Sequence, residues 1–164
     1  MRILSIDPGF GRCGVAVLDG TSSTARLLYS SCIETAANTE FTKRLAQVAE
    51  AVTELIKEYN PECLVLEELF FSNNAKTVFH VAEIRGMLIY LAVTNSIPIV
   101  EYNPLTVKIA LTGFGKASKE QVIKMVPKLI KLEKIPKYDD EYDAIALGIT
   151  ALAQSRNRAI HKDN

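Results

Sequence analysis

The short turns between the first three apolar segments constrain the fold of this chain more than any other feature. Apolar runs over residues 3–6 and 13–18 are separated by a glycine-rich turn, and Asp19-Gly20, a strong hairpin signal, leads to a third run over residues 26–34. Parallel neighbours need a long crossover, so turns this short allow only antiparallel pairing. The chain is therefore predicted to open with a three-stranded antiparallel meander.

Helices and strands alternate along the rest of the chain. We predict, in order, a helix from about residue 39 to 59, a strand over 63–66, a helix over 75–94, a strand over 98–102, a short helix from 104 to about 113, a helix from 118 to about 132 and a last helix from 139 or 140 to about 156. Asn103 and the S-x-x-Q spacing of Ser118 and Gln121 signal helix starts, and Pro127 predicts a kink. The helix over 75–94 is apolar nearly all round, which predicts burial on more than one side.

The sheet that these elements form is predicted to be mixed, in an α/β fold with helices on its faces. Two strands, each reached through a helix, follow the meander, and the fourth strand is expected to lie parallel to the first. A length of 164 residues suits one domain, predicted over residues 1–157, with a polar tail at 158–164. Hydrophobic residues at 48% and charged residues at 23% argue against disorder.

Cysteine content and hydropathy indicate the cytoplasm. Cys13, Cys32 and Cys63 are odd in number and lack CxxC spacing, so neither a disulfide framework nor a zinc knuckle is expected. The first residues are unlike a signal peptide, and the longest apolar stretch, residues 86–93, is too short for a membrane span.

Charge is unevenly distributed although the net charge is zero. Residues 108–137 contain eight lysines and two glutamates, a local balance of +6 that leaves −6 for the rest of the chain. Taken alone, this pattern is typical of a solvated helix surface. Beside an acidic site it would predict a surface for nucleic acid.

Carboxylates follow two of the predicted strands. Asp7 ends the first strand before Pro8-Gly9, and the strand over 63–66 runs into Glu67 and Glu68. Ligands gather beyond the carboxyl ends of parallel strands, so Asp7 and Glu67 are expected at one edge of the sheet. Their mutual repulsion disfavours ionisation unless a cation is present.

The final helix adds two more acidic side chains to this edge. Asp140 and Asp143 are three residues apart and share one face of its first turn. Four convergent carboxylates would make an oxygen-rich site suited to Mg²⁺ or Mn²⁺. Two alternatives stay open: Asp139 or Asp140 could cap the helix, and Asp7 could anchor its own turn.

The stretch from Gly9 to Gly14 also matches G-x-G-x-x-G, the dinucleotide-binding fingerprint. That fingerprint requires a helix to begin within the motif, whereas the residues that follow here read as a strand and a hairpin turn. An actin-like ATPase begins similarly but needs a second domain and a second phosphate loop. We therefore reject both nucleotide-binding interpretations.

Four segments, in order, resemble the RuvC family of bacterial Holliday-junction resolvases. They are IDPGFGRCGVAV, LEELFF at 66–71, VK followed by GFGKASKEQV, and DDEYDAIALGIT, and the match runs from about residue 1 to 155. The resemblance implies a ribonuclease H-like fold with sheet order 3-2-1-4-5 and strand 2 antiparallel. It also implies a homodimer that cuts two strands of a four-way DNA junction, with RuvA and RuvB as partners, in the bacterial cytoplasm at the nucleoid.

The resemblance also assigns residues to roles. By position, the catalytic and metal-binding carboxylates are Asp7, Glu67, Asp140 and Asp143; the DNA-binding residues are Phe70, which would stack near opened base pairs, Lys108 and Lys119. Lys116 is added to the DNA-binding residues as a member of the lysine-rich segment. Because Asp139 adjoins Asp140, either could be the third carboxylate. We expect two Mg²⁺ ions, replaceable by Mn²⁺, to activate water and stabilise the leaving 3′ oxygen.

Three further expectations complete this interpretation. The apolar helix over 75–94 is the candidate dimer interface, and His80 and His161 are taken as structural or incidental. A YqgF-like RNA nuclease of the same fold is one rival. A non-catalytic junction-binding protein is the other.

Overall fold

A computed structural model of the chain describes residues 1–9, 11–68 and 75–160, with the main chain alone at 75–77 and 156–160. Its five strands are β1 Arg2–Asp7, β2 Arg12–Asp19, β3 Arg26–Glu34, β4 Cys63–Glu67 and β5 Ile99–Tyr102. They form one sheet in the order β3-β2-β1-β4-β5. The pairs β1–β2 and β2–β3 are antiparallel, and β1–β4 and β4–β5 are parallel. The meander, the sheet order and the parallel fourth strand are confirmed.

Within the described residues, five helices cover the two faces of the sheet. They are α1 Phe41–Tyr59, α2 Ala75–Thr94, α3 Pro104–Thr112, α4 Lys119–Leu129 and α5 Asp139–Ile160. Alternate residues of the strands point to opposite faces, so Leu4 and Ile6 pack with α1 and α2, while Ile3 packs with α3, α4 and α5. Ser5 is on the α5 face too, where its Oγ donates to the carbonyl of Ala144 at 2.7 Å.

The predicted helix starts are confirmed. The side chain of Asn103 accepts a hydrogen bond from the N–H of Thr106, and Ser118 and Gln121 form the predicted capping box. The end of α4 differs from the prediction, since the helix stops at Leu129 and not near residue 132. Ile130 turns to an extended conformation, with φ −143° and ψ 142°, and its side chain enters the core.

Two other differences concern α5 and α2. Helix α5 continues to Ile160, past the predicted helix end near 156, while the domain boundary at 157 stays a prediction. Helix α2 buries one stripe, and Phe79, Tyr90 and Val93 are exposed on another part of its surface. Burial on more than one side is therefore not reached within the single chain, because the sheet and α1 cover only one side of α2. None of the helices within the described ranges combines the length and the apolar character needed to cross a membrane.

Candidate active site

The ends of β1 and β4 bring the first two carboxylates together. These strands pair in parallel up to Ile6 and Leu66, so Asp7 and Glu67 are the next residues along each. Side-chain alternation directs both toward the face that α5 covers, because Ser5 and Val65, two residues earlier, also face α5. The predicted meeting of Asp7 and Glu67 at one edge of the sheet follows directly from this register.

A glycine lets the first turn of α5 reach the same edge. Gly14 lies opposite Asp7 in the β1–β2 pair, and a Cβ on Gly14 would stand 1.9 Å from the carbonyl oxygen of Asp140. No side chain larger than hydrogen fits there without moving the helix. The absence of a Cβ at Gly14 therefore sets how closely the first turn of α5 approaches β1 and β2.

The ends of β1 and β4, together with α3, α4 and α5, line an open cavity of about 310 Å³. Its lining combines acidic and basic side chains with an apolar wall: Asp7, Glu67, Asp143, Lys108, Lys119, Pro104, Val107, Val122 and Leu147. Three of the four predicted carboxylates and two of the predicted lysines thus share one cavity. Asp140 and Lys116 are not among its lining residues, Lys116 is exposed beyond it, and Phe70 lies outside the described residues.

Burial and mutual repulsion raise the pKa values of the cavity carboxyls. Desolvation, followed by the charges of Glu67, Asp143 and Asp140, raises the pKa of Asp7 from 3.8 to about 8, and only Lys119 opposes the shift. Desolvation likewise raises the pKa of Glu67 and of Asp143, again against Lys119. A group of acids in this state gains by binding positive charge.

Lys119 supplies one such charge. Its Nζ lies 2.7 Å from Oδ2 of Asp139 and 2.8 Å from Oδ2 of Asp143. Desolvation works against the ammonium, but the hydrogen bonds to these two aspartates prevail and raise the pKa of Lys119. The same contact lowers the pKa of Asp139. The capping box of Ser118 places Lys119 at the first position of α4, facing the start of α5.

Asp140 is held by a residue that the sequence did not single out. Nε of Arg12 lies 2.9 Å from Oδ2 of Asp140, and Nη2 lies 3.6 Å from Oδ1 of Asp139. The guanidinium also stands 4.7 Å from the centre of the Tyr138 ring, whose hydroxyl donates to Glu34. Oδ2 of Asp140 makes no hydrogen bond of good geometry, so the Arg12 contact is an ion pair by distance only.

Asp139 and Asp140, the two candidates for the third carboxylate, differ in their surroundings. Asp140 is one of the charges that raise the pKa of Asp7, whereas Asp139 is half exposed and pairs with Lys119 and Arg12. Helix α5 begins at Asp139, so both aspartates lie in its first turn, where their charges also favour the helix dipole.

The donor set fits a hard divalent cation. It consists of carboxylate oxygens, one of which, Oδ2 of Asp140, is buried without a hydrogen bond. In the described part of the chain, no three His, Cys, Asp or Glu side chains already converge closely enough to enclose an ion. In this structure the ammonium of Lys119 is the positive charge next to the Asp143 carboxylate.

Acidic side chains at the ends of two parallel strands and in the first turn of the last helix, on a mixed sheet of this order, define a nuclease of the ribonuclease H-like class. A family model described as crossover junction endodeoxyribonuclease RuvC matches residues 3–151. The chain belongs to this family. Membership implies dependence on a divalent metal.

Similar proteins extend over nearly the whole chain. RuvC of Natranaerobius thermophilus is 39% identical over 149 residues, 91% of this chain and 92% of the relative, and RuvC of Thermotoga petrophila is 34% identical over the full length of both. The structure of Thermus thermophilus RuvC in complex with Holliday junction substrate gives a TM-score of 0.89 at 29% identity and covers 96% of each chain. The yeast mitochondrial Holliday junction resolvase, at 14% identity and a TM-score of 0.69, covers 99% of this chain and 83% of its own and shares the fold.

Proposed function

We propose that this protein is a Holliday-junction resolvase, an endodeoxyribonuclease that makes paired, symmetric nicks in four-way junction DNA during recombination and repair. The observation that carries the proposal is the convergence of Asp7, Glu67 and Asp143 on one cavity, in a chain that belongs to the RuvC family. The family match favours this activity over that of an RNA nuclease of the same fold. The retained carboxylates argue against a binder without chemistry.

Asp7, Glu67, Asp140 and Asp143 are proposed to hold the metal. When bound, the metal, which we take to be two Mg²⁺ ions replaceable by Mn²⁺, supplies positive charge for the scissile phosphate and for the water that attacks it. Asp7 must first give up the proton that its pKa of about 8 lets it keep at neutral pH. Arg12 orients Asp140. Hydrolysis should leave a 5′ phosphate and a 3′ hydroxyl, which can be ligated.

The two cavity lysines would stabilise the reacting phosphate. Lys119 is half exposed and bridges two aspartates, so it can leave Asp143 for an incoming phosphate while Asp139 keeps it at the site. Lys108 lines the same cavity from α3. We propose that Lys116 and the other lysines of residues 108–137 bind the flanking duplex. For Phe70 we retain the proposal of stacking on an unpaired base.

Paired cuts on a nearly two-fold symmetric junction call for a two-fold dimer. Exposed Phe79, Tyr90 and Val93 on α2 support our proposal that this helix forms the interface. RuvA and RuvB are proposed as partners on family grounds. Among the described residues the three cysteines form no disulfide, which fits our proposal that the protein works in the cytoplasm, at the nucleoid.

The decisive experiment incubates the protein with Mg²⁺ and a synthetic four-way DNA junction, a linear duplex of the same sequence, or a structured RNA. We expect nicks at symmetric positions in two opposing strands of the junction and little cutting of the duplex. Cleavage of the RNA alone would establish the YqgF-like alternative. Junction binding without cleavage at any Mg²⁺ or Mn²⁺ concentration would establish the non-catalytic alternative.

A further inference from the structure

Glu67 reaches the cavity from the last residue of β4, beyond the end of the β1–β4 pairing. The paired residues of the two strands end at Ile6 and Leu66, so Glu67 has no paired residue opposite it on β1. On the other side, the N–H of Glu68 donates to the carbonyl of Tyr102 at 2.9 Å. The carbonyl oxygen of Glu67 itself accepts a hydrogen bond through a contact from outside the sheet.

Arg85 of α2 provides that contact. Its Nη1 donates to the carbonyl oxygen of Glu67 at 3.0 Å, and its Nη2 forms an ion pair with Oε1 of Glu101 on β5. The Arg85 side chain is only 11% exposed. A guanidinium buried to this extent is destabilising unless it is paired and hydrogen-bonded, and here both partners lie at the ends of β4 and β5.

The geometry places Arg85 behind Glu67 as seen from the cavity. Glu101 lies opposite Leu66 in the β4–β5 register, and Leu66 faces α1 and α2, whereas the Glu67 side chain faces α5 and the cavity. The guanidinium thus spans the ends of β4 and β5 from one face while the Glu67 carboxylate projects from the other. How far this carboxylate projects into the cavity depends on where its own peptide is held.

We propose that Arg85 and Glu101 form a clasp that positions Glu67 for metal binding. Arg85 is a positioning residue in this account, because it acts on the carboxylate only through the peptide of Glu67. The proposal rests on the proposed metal-dependent function and adds to it a determinant on the opposite face of the sheet.

Arginine suits this position and lysine does not. Its planar fork directs two N–H groups at once to the carbonyl of Glu67 and the carboxylate of Glu101. The ammonium of a lysine has the same charge and can bind one of the two partners well, but it does not fix the carbonyl and the carboxylate relative to each other. Arg85→Lys therefore removes the clasp while keeping the positive charge.

A matched control exists at the other end of the sheet. Arg2 also donates to one main-chain carbonyl, that of Tyr59 at 2.8 Å, and also pairs with one carboxylate, Asp19 at 3.6 Å. It begins β1, the strand that Asp7 ends. Arg2→Lys therefore loses a contact of the same kind without touching the cavity.

The test measures Mn²⁺ affinity of the DNA-free protein by calorimetry, well below the melting temperature, together with junction affinity in EDTA. We expect Arg85→Lys and Glu101→Gln to raise the Kd for Mn²⁺ about tenfold, the usual effect of removing a group that orients a metal ligand. The single-turnover cleavage rate should recover toward the parental value at high Mg²⁺, and junction Kd should stay within about twofold. Arg2→Lys should lower Tm and leave the Kd for Mn²⁺ unchanged.

The outcomes separate this proposal from the function on which it rests. If the parental protein binds Mn²⁺ and both variants bind it equally well, the proposal that Arg85 and Glu101 position Glu67 is wrong, while the proposed nuclease function is unaffected. If Arg85→Lys does not fold, Glu101→Gln decides the matter, since it keeps the size and hydrogen-bonding capacity of the side chain. If the parental protein binds no metal and cuts no junction, both proposals fall together.

Discussion

Nζ of Lys119 lies 2.8 Å from Oδ2 of Asp143, inside the cavity where the carboxylates converge. The site thus contains its own counter-charge, and a divalent cation that binds Asp143 must take the place of this ammonium. Both side chains are partly exposed, so their ion pair is weak enough to be exchanged. Asp139, 2.7 Å from the same ammonium, offers Lys119 a second anchor after the exchange.

Replacing Lys119 should separate metal binding from chemistry. We expect Lys119→Ala to reduce the single-turnover rate at saturating Mg²⁺ by about 10²-fold, the typical effect of losing one group that stabilises developing charge. Mn²⁺ affinity should be unchanged or tighter, because a competing cation is gone. Calorimetry and quenched-flow cleavage test the two effects, and an unchanged turnover would remove Lys119 from the site.

Asp7 should be indispensable for cleavage and dispensable for DNA binding. Asp7→Asn keeps the size of the side chain but removes a carboxyl group, and so a metal ligand that can ionise, from the cavity lining. We expect no detectable nicking and a junction Kd within about twofold of the parental value, measured by gel shift in EDTA. A variant that still cuts at the parental rate would show that the metal assignment is wrong.

The raised pKa of Asp7 predicts how the stability of the metal-free protein depends on pH. Between pH 4 and about pH 8 the folded protein keeps a proton on Asp7 that the unfolded chain has lost, so the free energy of unfolding should fall as pH rises through this window. The contribution of one proton is at most about 1.4 kcal/mol per pH unit. Thermal melts in EDTA at pH 5, 6, 7 and 8 should show this slope in the parental protein.

The same residue supplies the control for that experiment. Asp7→Asn cannot lose a proton, so its melts should fall less steeply with pH and its Tm at pH 8 should exceed the parental one. Mn²⁺ affinity of the parental protein should rise from pH 6 to pH 8 as Asp7 ionises. If the Tm of both proteins changed with pH by the same amount, the placement of Asp7 in a desolvated cavity would be contradicted.

Gly14→Ala should damage stability and activity together. Its new Cβ would stand 1.9 Å from the carbonyl oxygen of Asp140, so the first turn of α5 must move away from β2. Overpacking of this kind costs about 1–3 kcal/mol, and it should displace Asp140 and Asp143 from Asp7. Gly11→Ala is the control, since its Cβ would meet nothing closer than 3.9 Å. Denaturant unfolding and cleavage rates measure both variants, and equal behaviour would contradict the close packing of α5.

The exposed surface of α2 should govern the oligomeric state. Tyr90 is 65% exposed there in the single chain, and we expect Tyr90→Glu to convert a dimer into a monomer in sedimentation velocity. Ile135 is more exposed still but precedes α5 in a loop, so Ile135→Glu should leave the dimer intact. A dimer that survives Tyr90→Glu would place the interface elsewhere.

The fold was accessible from sequence wherever local rules determine the answer. Short turns forced the antiparallel meander, Ser118 with Gln121 marked the start of α4, and the position of Asp7 and Glu67 after buried strands brought them to one edge. The end of α4 was missed because Ile130 leaves the helix to enter the core, a gain that depends on tertiary packing.

Local sequence rules could not predict the side chains that contact the site residues and hold them in position. Arg12 lies inside the first of the four quoted segments, but nothing in the sequence indicates its contact with Asp140 or that of Arg85 with Glu67. Gly14 could have been suspected from its motif, but only the packed α5 reveals what its missing Cβ accommodates. The carboxylates of a candidate site can be identified from the sequence. The side chains that hold those carboxylates in position can be identified only from the whole fold.

β1 is the central strand of the sheet, paired on both edges and covered on both faces, and Asp7 is its last residue. Amides in such a strand exchange with solvent only when the entire molecule opens, in contrast to those of a surface loop. Asp7, a proposed metal ligand, therefore belongs to a strand that is protected on both edges and on both faces. On heating, loss of the active geometry should coincide with global melting and should not precede it.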